Sequence, residues 1–142
     1  MAAPKTKPKR FEYAVAVDSA GALRADAGPP IEPGEEWSPD HLLLAGLVTC
    51  VLTSLEYHAG RAGIENAGSG SARGVVTQRE EDGRYAFVDI EAELDVALTP
   101  QPSGDELDEL LAKAERDCFV GASLTVTPRY RWTVGGRAVE RA

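Results

Sequence analysis

Between Ser38 and Gly63 the chain places Leu42, Leu43, Leu44, Leu47, Val48, Val51, Leu52 and Leu55. At about 100° per residue these side chains wrap nearly every face of one helix. Such a helix must be covered on all sides, and few folds of 142 residues offer that. Its limits are legible: Ser38 can cap the free N–H groups, Pro39 suits the first turn, and Asp40 complements the positive end of the helix dipole. The helix is expected to run to about Ala62, with Gly63 ending it. One chain of this length has little material left to surround it, so a second subunit is the simplest cover. The small pair Ala45-Gly46 would admit another helix closely.

The rest of the chain reads as strands and one further helix. Phe11, Tyr13, Val15 and Val17 alternate before Ser19-Ala20-Gly21, and a short run follows around Leu23, the pattern of a hairpin. Gly28-Pro29-Pro30 and Pro33-Gly34 mark an irregular loop. Gly68-Ser69-Gly70-Ser71 reads as a flexible connector into a second hairpin. That hairpin begins at Val75, turns at Glu81-Asp82-Gly83 and returns through Ala86 to Leu98. In the returning strand Ala86, Val88, Ile90, Ala92, Leu94, Val96 and Leu98 should face the core, and Asp89, Glu91, Glu93 and Asp95 the water.

Ser103-Gly104-Asp105-Glu106 has the form of a capping box, and Leu107, Leu110, Leu111 and Ala114 follow at helical spacing to about Asp117-Cys118. A last strand should carry Leu124, Val126, Tyr130, Trp132 and Val134 and stop at Gly135-Gly136. The order predicts an α+β fold of antiparallel sheets around a long buried central helix plus a second, amphipathic one.

Length allows one compact domain, over residues 11–142, preceded by a frayed basic tail at 1–10 that includes Lys5, Lys7, Lys9 and Arg10. A net charge of −8 argues against a nucleic-acid partner. No stretch reaches about 18 uninterrupted apolar residues, and the N-terminus lacks the apolar block of a secretory signal, so no membrane partner and a cytoplasmic location are expected.

Cys50 and Cys118 are the only cysteines and lie 68 positions apart. That matches no short zinc spacing and no CxxC, so only the fold could pair them. Either alone could equally be a buried filler of the core. His41 and Cys50 fall on opposite faces of the long helix, and His58 lies two turns further on, so no Cys/His metal site forms on one chain and no cofactor is expected. Trp37 and Trp132 could line an apolar pocket or simply pack.

The run from Ser38-Pro39-Asp40-His41-Leu42 to Thr49-Cys50 resembles the helix motif of the osmotically inducible protein C / organic hydroperoxide resistance (OsmC/Ohr) family. Ala114-Glu115-Arg116-Asp117-Cys118-Phe119-Val120 through Leu124 looks like that family's second cysteine segment. In this order, with matching elements between, the resemblance covers about Phe11 to Val134. It implies an intertwined homodimer and a peroxidase acting on small organic hydroperoxides, with Cys50 peroxidatic, Cys118 resolving, and an unidentified thiol reductant recycling the disulfide.

The family activates its thiol with an arginine fixed by a carboxylate. Asp40 stands where the family has Glu, ten positions before Cys50, or about 15 Å along one helix. It would therefore serve a thiol on the partner chain, unless it is only a helix-start charge. Glu35 and Glu36 are alternative carboxylates. Residues 28–38 hold no arginine, leaving Arg10 and Arg24 as candidates or as surface charges. The alternative function is a dimer of the same fold that binds an apolar ligand or senses oxidants without efficient turnover.

Overall fold

The computed structural model describes residues 8–140, in two compact units divided between Ser38 and Pro39. Lys5 and Lys7 of the expected tail lie outside the described residues.

In the N-terminal unit the hairpin forms only at its tip, as β1 (Ala16–Val17) and β2 (Leu23–Arg24), paired antiparallel. The Asp18 carboxylate accepts hydrogen bonds from the backbone N–H groups of Ala20 (2.9 Å) and Ala22 (3.0 Å), closing the turn. Gly21 supplies the positive φ of 88°. Phe11, Tyr13, Val15 and Val17 all remain exposed, and the longer strand expected through them is not formed. An uncovered two-stranded ribbon has little to hold it.

The C-terminal unit begins with α1 (Pro39–Arg61). Its end is a Schellman turn: Ile64 N–H donates to Ala59 C=O (2.8 Å), Gly63 N–H to Gly60 C=O (3.1 Å), and Gly63 takes φ 73°. Strands β3 (Glu65–Gln78) and β4 (Tyr85–Thr99) form a long antiparallel hairpin, joined by a turn in which Gly83 has φ 71°. Then come α2 (Gly104–Arg116), a single turn α3 (Phe119–Ala122), β5 (Arg129–Val134) and β6 (Arg137–Ala138). The sheet order is β3-β4-β5-β6. The architecture is α+β, with helices packed on one face of the sheet. One pair departs from the antiparallel expectation: β5 runs parallel to β4, from Glu91 opposite Arg129 to Val96 opposite Val134, because α2 and α3 carry the chain back across the sheet.

Four local expectations are corrected. Gly68-Ser69-Gly70-Ser71 is not a connector but part of β3. A Cβ at Gly68 would stand 2.8 Å from Val96 and 3.1 Å from Leu52; one at Gly70, 2.8 Å from Leu94 and 3.1 Å from Val48. The glycines are there because α1 lies directly on the strand. The core alternation of β4 holds from Ile90 to Leu98 but fails at Val88, which bulges opposite Val75 and Val76 and is 38% exposed. Ser103 does occupy the N-cap of α2, yet its hydroxyl makes no capping bond, and Gly104 follows in a left-handed conformation (φ 51°). The last strand starts at Arg129 rather than Leu124, immediately after Pro128, which has no N–H to give a ladder.

The core joins Leu47, Val51 and Leu55 of α1 to Ile90, Ala92, Leu94, Val96 and Leu98 of β4, Leu110, Leu111 and Ala114 of α2, and Trp132 and Val134 of β5. On the opposite sheet face Glu91 is not in water as expected but 4% exposed, held by Arg129 at 3.0 Å with Arg73 at 3.5 Å and Arg131 at 3.8 Å. By length and composition α1 could cross a bilayer. Its sheet-covered face makes it a core helix of this unit. Within the single chain that burial is one-sided: Leu42, Leu43, Leu44, Val48 and Leu52 are only half-buried.

Candidate functional site

Both cysteines are free thiols. Cys50, in the middle of α1, is half-buried and packs against the core; Cys118, in the link between α2 and α3, is fully buried. α1 packs against both α2 and α3, so the link that carries Cys118 is laid across the helix that carries Cys50. Cys118 Sγ comes within 4.0 Å of the Leu47 carbonyl oxygen, one turn before Cys50, and the Cys50 thiol is close enough to act on it electrostatically. Two sulfurs 68 positions apart in sequence thus share one small space.

The floor of that space is built by Gly121 and Tyr130. The Tyr130 hydroxyl and Cys118 Sγ both lie beside the position a Gly121 Cβ would take, and Gly121 and Tyr130 both act on the sulfur. A Cβ at Gly121 would collide with the Tyr130 hydroxyl and stand 3.5 Å from both Cys118 Sγ and Leu47 Cδ1. Only glycine leaves room for this arrangement. Burial pushes the Cys118 thiol above its ordinary pKa; the Gly121 N–H opposes that rise, the neighbouring Cys50 adds to it, and the Tyr130 hydroxyl opposes it. At neutral pH Cys118 is a protonated thiol. Burial, then the adjacent Cys118, pushes the Tyr130 phenol well above the ordinary tyrosine range, so it stays a hydrogen-bond donor.

A second link fixes the same region. His58, near the end of α1, pairs through Nε2 with Asp117 Oδ2 at 2.8 Å, and Arg116 Nε and Nη2 donate to the two Asp117 oxygens at 3.0 and 2.9 Å. Asp117 immediately precedes Cys118, so this clasp ties the thiol-bearing link to α1. Arg116, with a further pull from His58, holds the Asp117 carboxyl at about 2, against an ordinary 3.8. A depressed carboxyl contributes stability that is present above the unfolded value and lost as pH falls toward the folded one. Asp117→Asn should therefore remove part of the acid-induced loss of stability between pH 3.8 and about 2, as measured by urea unfolding across that window. The effect is modest, because the Asp117 side chain is 38% exposed and solvent screens it.

Most of the other residues singled out from the sequence are exposed. Asp40 is exposed in the first turn of α1, and since α1 is one continuous helix, it stays about 15 Å along the axis from Cys50 of its own chain. Arg24 is exposed in β2; Arg10 is exposed and paired with Glu12 at 3.0 Å. Glu35, Glu36 and His41 are exposed. Trp37 is 49% exposed, and Trp132 is a core residue whose indole N–H donates to Glu115 at 3.2 Å. Among the described residues no three His, Cys, Asp or Glu side chains converge as metal ligands. Gly121, Tyr130 and the His58–Asp117 clasp were not foreseen. For Asp117 there was one signal, its position beside Cys118; for Tyr130 there was none beyond strand alternation.

Comparison with known proteins gives one family model, described as OsmC-like protein, matching residues 32–132, which include Asp40, Cys50 and Cys118 but neither Arg10 nor Arg24. No curated protein matches the sequence significantly. Among solved structures, an OsmC-like protein of unknown function from Vibrio cholerae superposes with a TM-score of 0.75 at 14% identity, over 87% of this chain and 100% of that one. The organic hydroperoxide resistance protein OhrB of Bacillus subtilis gives 0.58 at 21% identity, over 87% and 98%. A Legionella pneumophila protein described as an organic hydroperoxide resistance protein OsmC gives 0.59 at 17%, over 89% and 98%. At these identities the solved structures establish the fold.

Proposed function

The chain belongs to the OsmC-like protein family, and from that premise we propose that it is a thiol peroxidase reducing organic hydroperoxides through Cys50, with Cys118 as the resolving thiol. The observation that carries this reading is the buried Cys118 thiol, in the link packed on α1, having the more accessible Cys50 thiol as an interacting neighbour. In the first half-reaction the Cys50 thiolate attacks the hydroperoxide. An S–O bond forms, the O–O bond breaks, and the alkoxide leaves and takes a proton to become an alcohol. In the second, Cys118 attacks the sulfur of the sulfenic acid. The S–S bond forms, the S–O bond breaks, and the departing hydroxide takes up the proton that Cys118 gives up, forming water. An external dithiol, or two thiols, then returns two electrons and two protons, is itself oxidised to a disulfide, and restores both cysteines.

The apolar core against which Cys50 packs favours an organic peroxide over hydrogen peroxide. The activating cation is proposed to be Arg24 or Arg10, with Asp40 of a second copy as the carboxylate that orients it. That copy is also the proposed cover for the half-buried leucines of α1, making the working form a homodimer in a cytoplasmic, thiol-reducing setting. Sedimentation equilibrium at micromolar concentration should return twice the 15.1 kDa of one chain. A monomer at all concentrations removes the partner-supplied Asp40 from the mechanism.

No cation is among the groups acting most strongly on Cys118, which favours a second reading: an oxidant sensor or apolar-ligand binder of this fold that forms the disulfide without efficient turnover. Multiple-turnover consumption of cumene hydroperoxide with a dithiol reductant, together with mass spectrometry of the Cys50–Cys118 disulfide, separates the two. Disulfide with sustained consumption supports the peroxidase. Disulfide without it supports the sensor, and neither one sinks both.

A further inference from the structure

We propose that Tyr130 is the positioning residue of the resolving half-reaction: its hydroxyl donates a hydrogen bond to Cys118 Sγ and stabilises the thiolate that attacks the Cys50 sulfenic acid. This rests on the thiol-peroxidase reading and extends it to the second step.

The geometry begins in the sheet. Tyr130 stands opposite Ala92 of β4, on the face covered by the helices, so its ring is directed toward the α2–α3 link. Its hydroxyl and Cys118 Sγ border the single point where a Gly121 side chain would begin, so the space between them stays open because that side chain is missing. The ring is half-buried and its other edge borders an open groove of about 1230 Å³ along α2, β5 and β6, which Glu115, Arg131 and Trp132 also line. Tyr130 is thus the side chain that joins that groove to the sulfur.

Chemistry gives the hydroxyl its task. Cys118 is fully buried, and a buried thiol resists losing its proton unless donors replace the lost water. Two groups able to donate flank it, the Gly121 N–H and the Tyr130 O–H, and no cation is among its strongest neighbours. Donation to a developing anion is stronger than donation to a neutral sulfur, so the phenol favours the reactive form. Tyr130 keeps its own proton throughout, as its raised pKa requires. The proton lost by Cys118 ends on the hydroxide released from Cys50, so atoms and electrons balance with no further reactant.

The experiment uses Tyr130→Phe, which keeps the ring and removes only the donor. Reduced protein is mixed with one equivalent of cumene hydroperoxide, and Cys50 sulfenic acid is followed by dimedone trapping and the disulfide by mass spectrometry. Relative to wild type, Tyr130→Phe should form disulfide about tenfold more slowly, trap more sulfenic acid, and shift the pH midpoint of disulfide formation upward. Gly121→Ala, which displaces the hydroxyl from the sulfur, should act in the same direction and serves if Tyr130→Phe does not fold.

A second readout does not need peroxide. In the Cys50→Ser background, the 13Cβ chemical shift of Cys118 should titrate at higher pH with Phe at position 130 than with Tyr. Equal titration curves, or equal rates and pH midpoints of disulfide formation, overturn the role of Tyr130. Failure of the wild type itself to form disulfide overturns the peroxidase reading instead, with the titration still deciding whether the hydrogen bond exists.

Discussion

Cys50→Ser should lower consumption of cumene or tert-butyl hydroperoxide by on the order of a thousandfold, to the level of protein-free buffer, while leaving the fold intact. A hydroxyl at this position cannot supply a thiolate, and the buried Cys118 is in no position to replace it, being both inaccessible and held protonated by its surroundings. Cys118→Ser should behave differently. Its first turnover should proceed, since the attacking sulfur is untouched, but the sulfenic acid then has no partner. It should persist, react with dimedone, and advance to sulfinic acid under excess peroxide. Stoichiometric rather than catalytic peroxide loss is the expected signature. Equal consumption by wild type and Cys50→Ser would end the enzymatic proposal, whatever the state of Cys118.

Gly70→Val should lower stability by about 3 kcal/mol, visible as a fall in Tm of about 10 °C. The strand offers no room: a Cβ at position 70 would stand 2.9 Å from the Glu93 carbonyl oxygen as well as 2.8 Å from Leu94 and 3.1 Å from Val48. The backbone oxygen cannot swing aside, so β3 must separate from β4 or α1 must lift from the sheet. α1 also carries Cys50, so the variant that stays folded should form the disulfide more slowly. Gly60→Ala is the matched control. Position 60 lies within α1, has no atom within 4 Å of its would-be Cβ, and should gain about 0.5–1 kcal/mol from reduced backbone freedom in the unfolded chain. If Gly70→Val is as stable as wild type, the close packing of α1 on β3 is wrong.

These contrasting glycines show where local sequence stops being informative. Gly68-Ser69-Gly70-Ser71 has the composition of a linker, yet it forms β-strand, because the residues that require its smallness, Leu52, Val48, Leu94 and Val96, come from α1 and β4. Glu91 shows the same in charge: its alternation places it among solvated acids, and only the parallel docking of β5 brings Arg129 and Arg131 over it. The site divides likewise. Each cysteine segment was recognisable by its own motif, whereas Tyr130, 12 positions after Cys118, acquires meaning only from the sulfur beside it.

What the sequence determined on its own was whatever depends on neighbours within a few residues. That includes the limits of α1 at Pro39 and Gly63, the turn before β4, the core alternation from Ile90 to Leu98, the extent of α2, and the family to which two cysteine motifs pointed. Periodicity and caps are short-range properties, and they are written in consecutive side chains. The tertiary structure alone decided the parallel β4–β5 pair, the strand built of glycine and serine, and the pocket where Gly121 and Tyr130 meet Cys118 beside Cys50. Each of these is a contact between remote segments, set by how volumes fill around α1, and no local window of residues records which surfaces will meet.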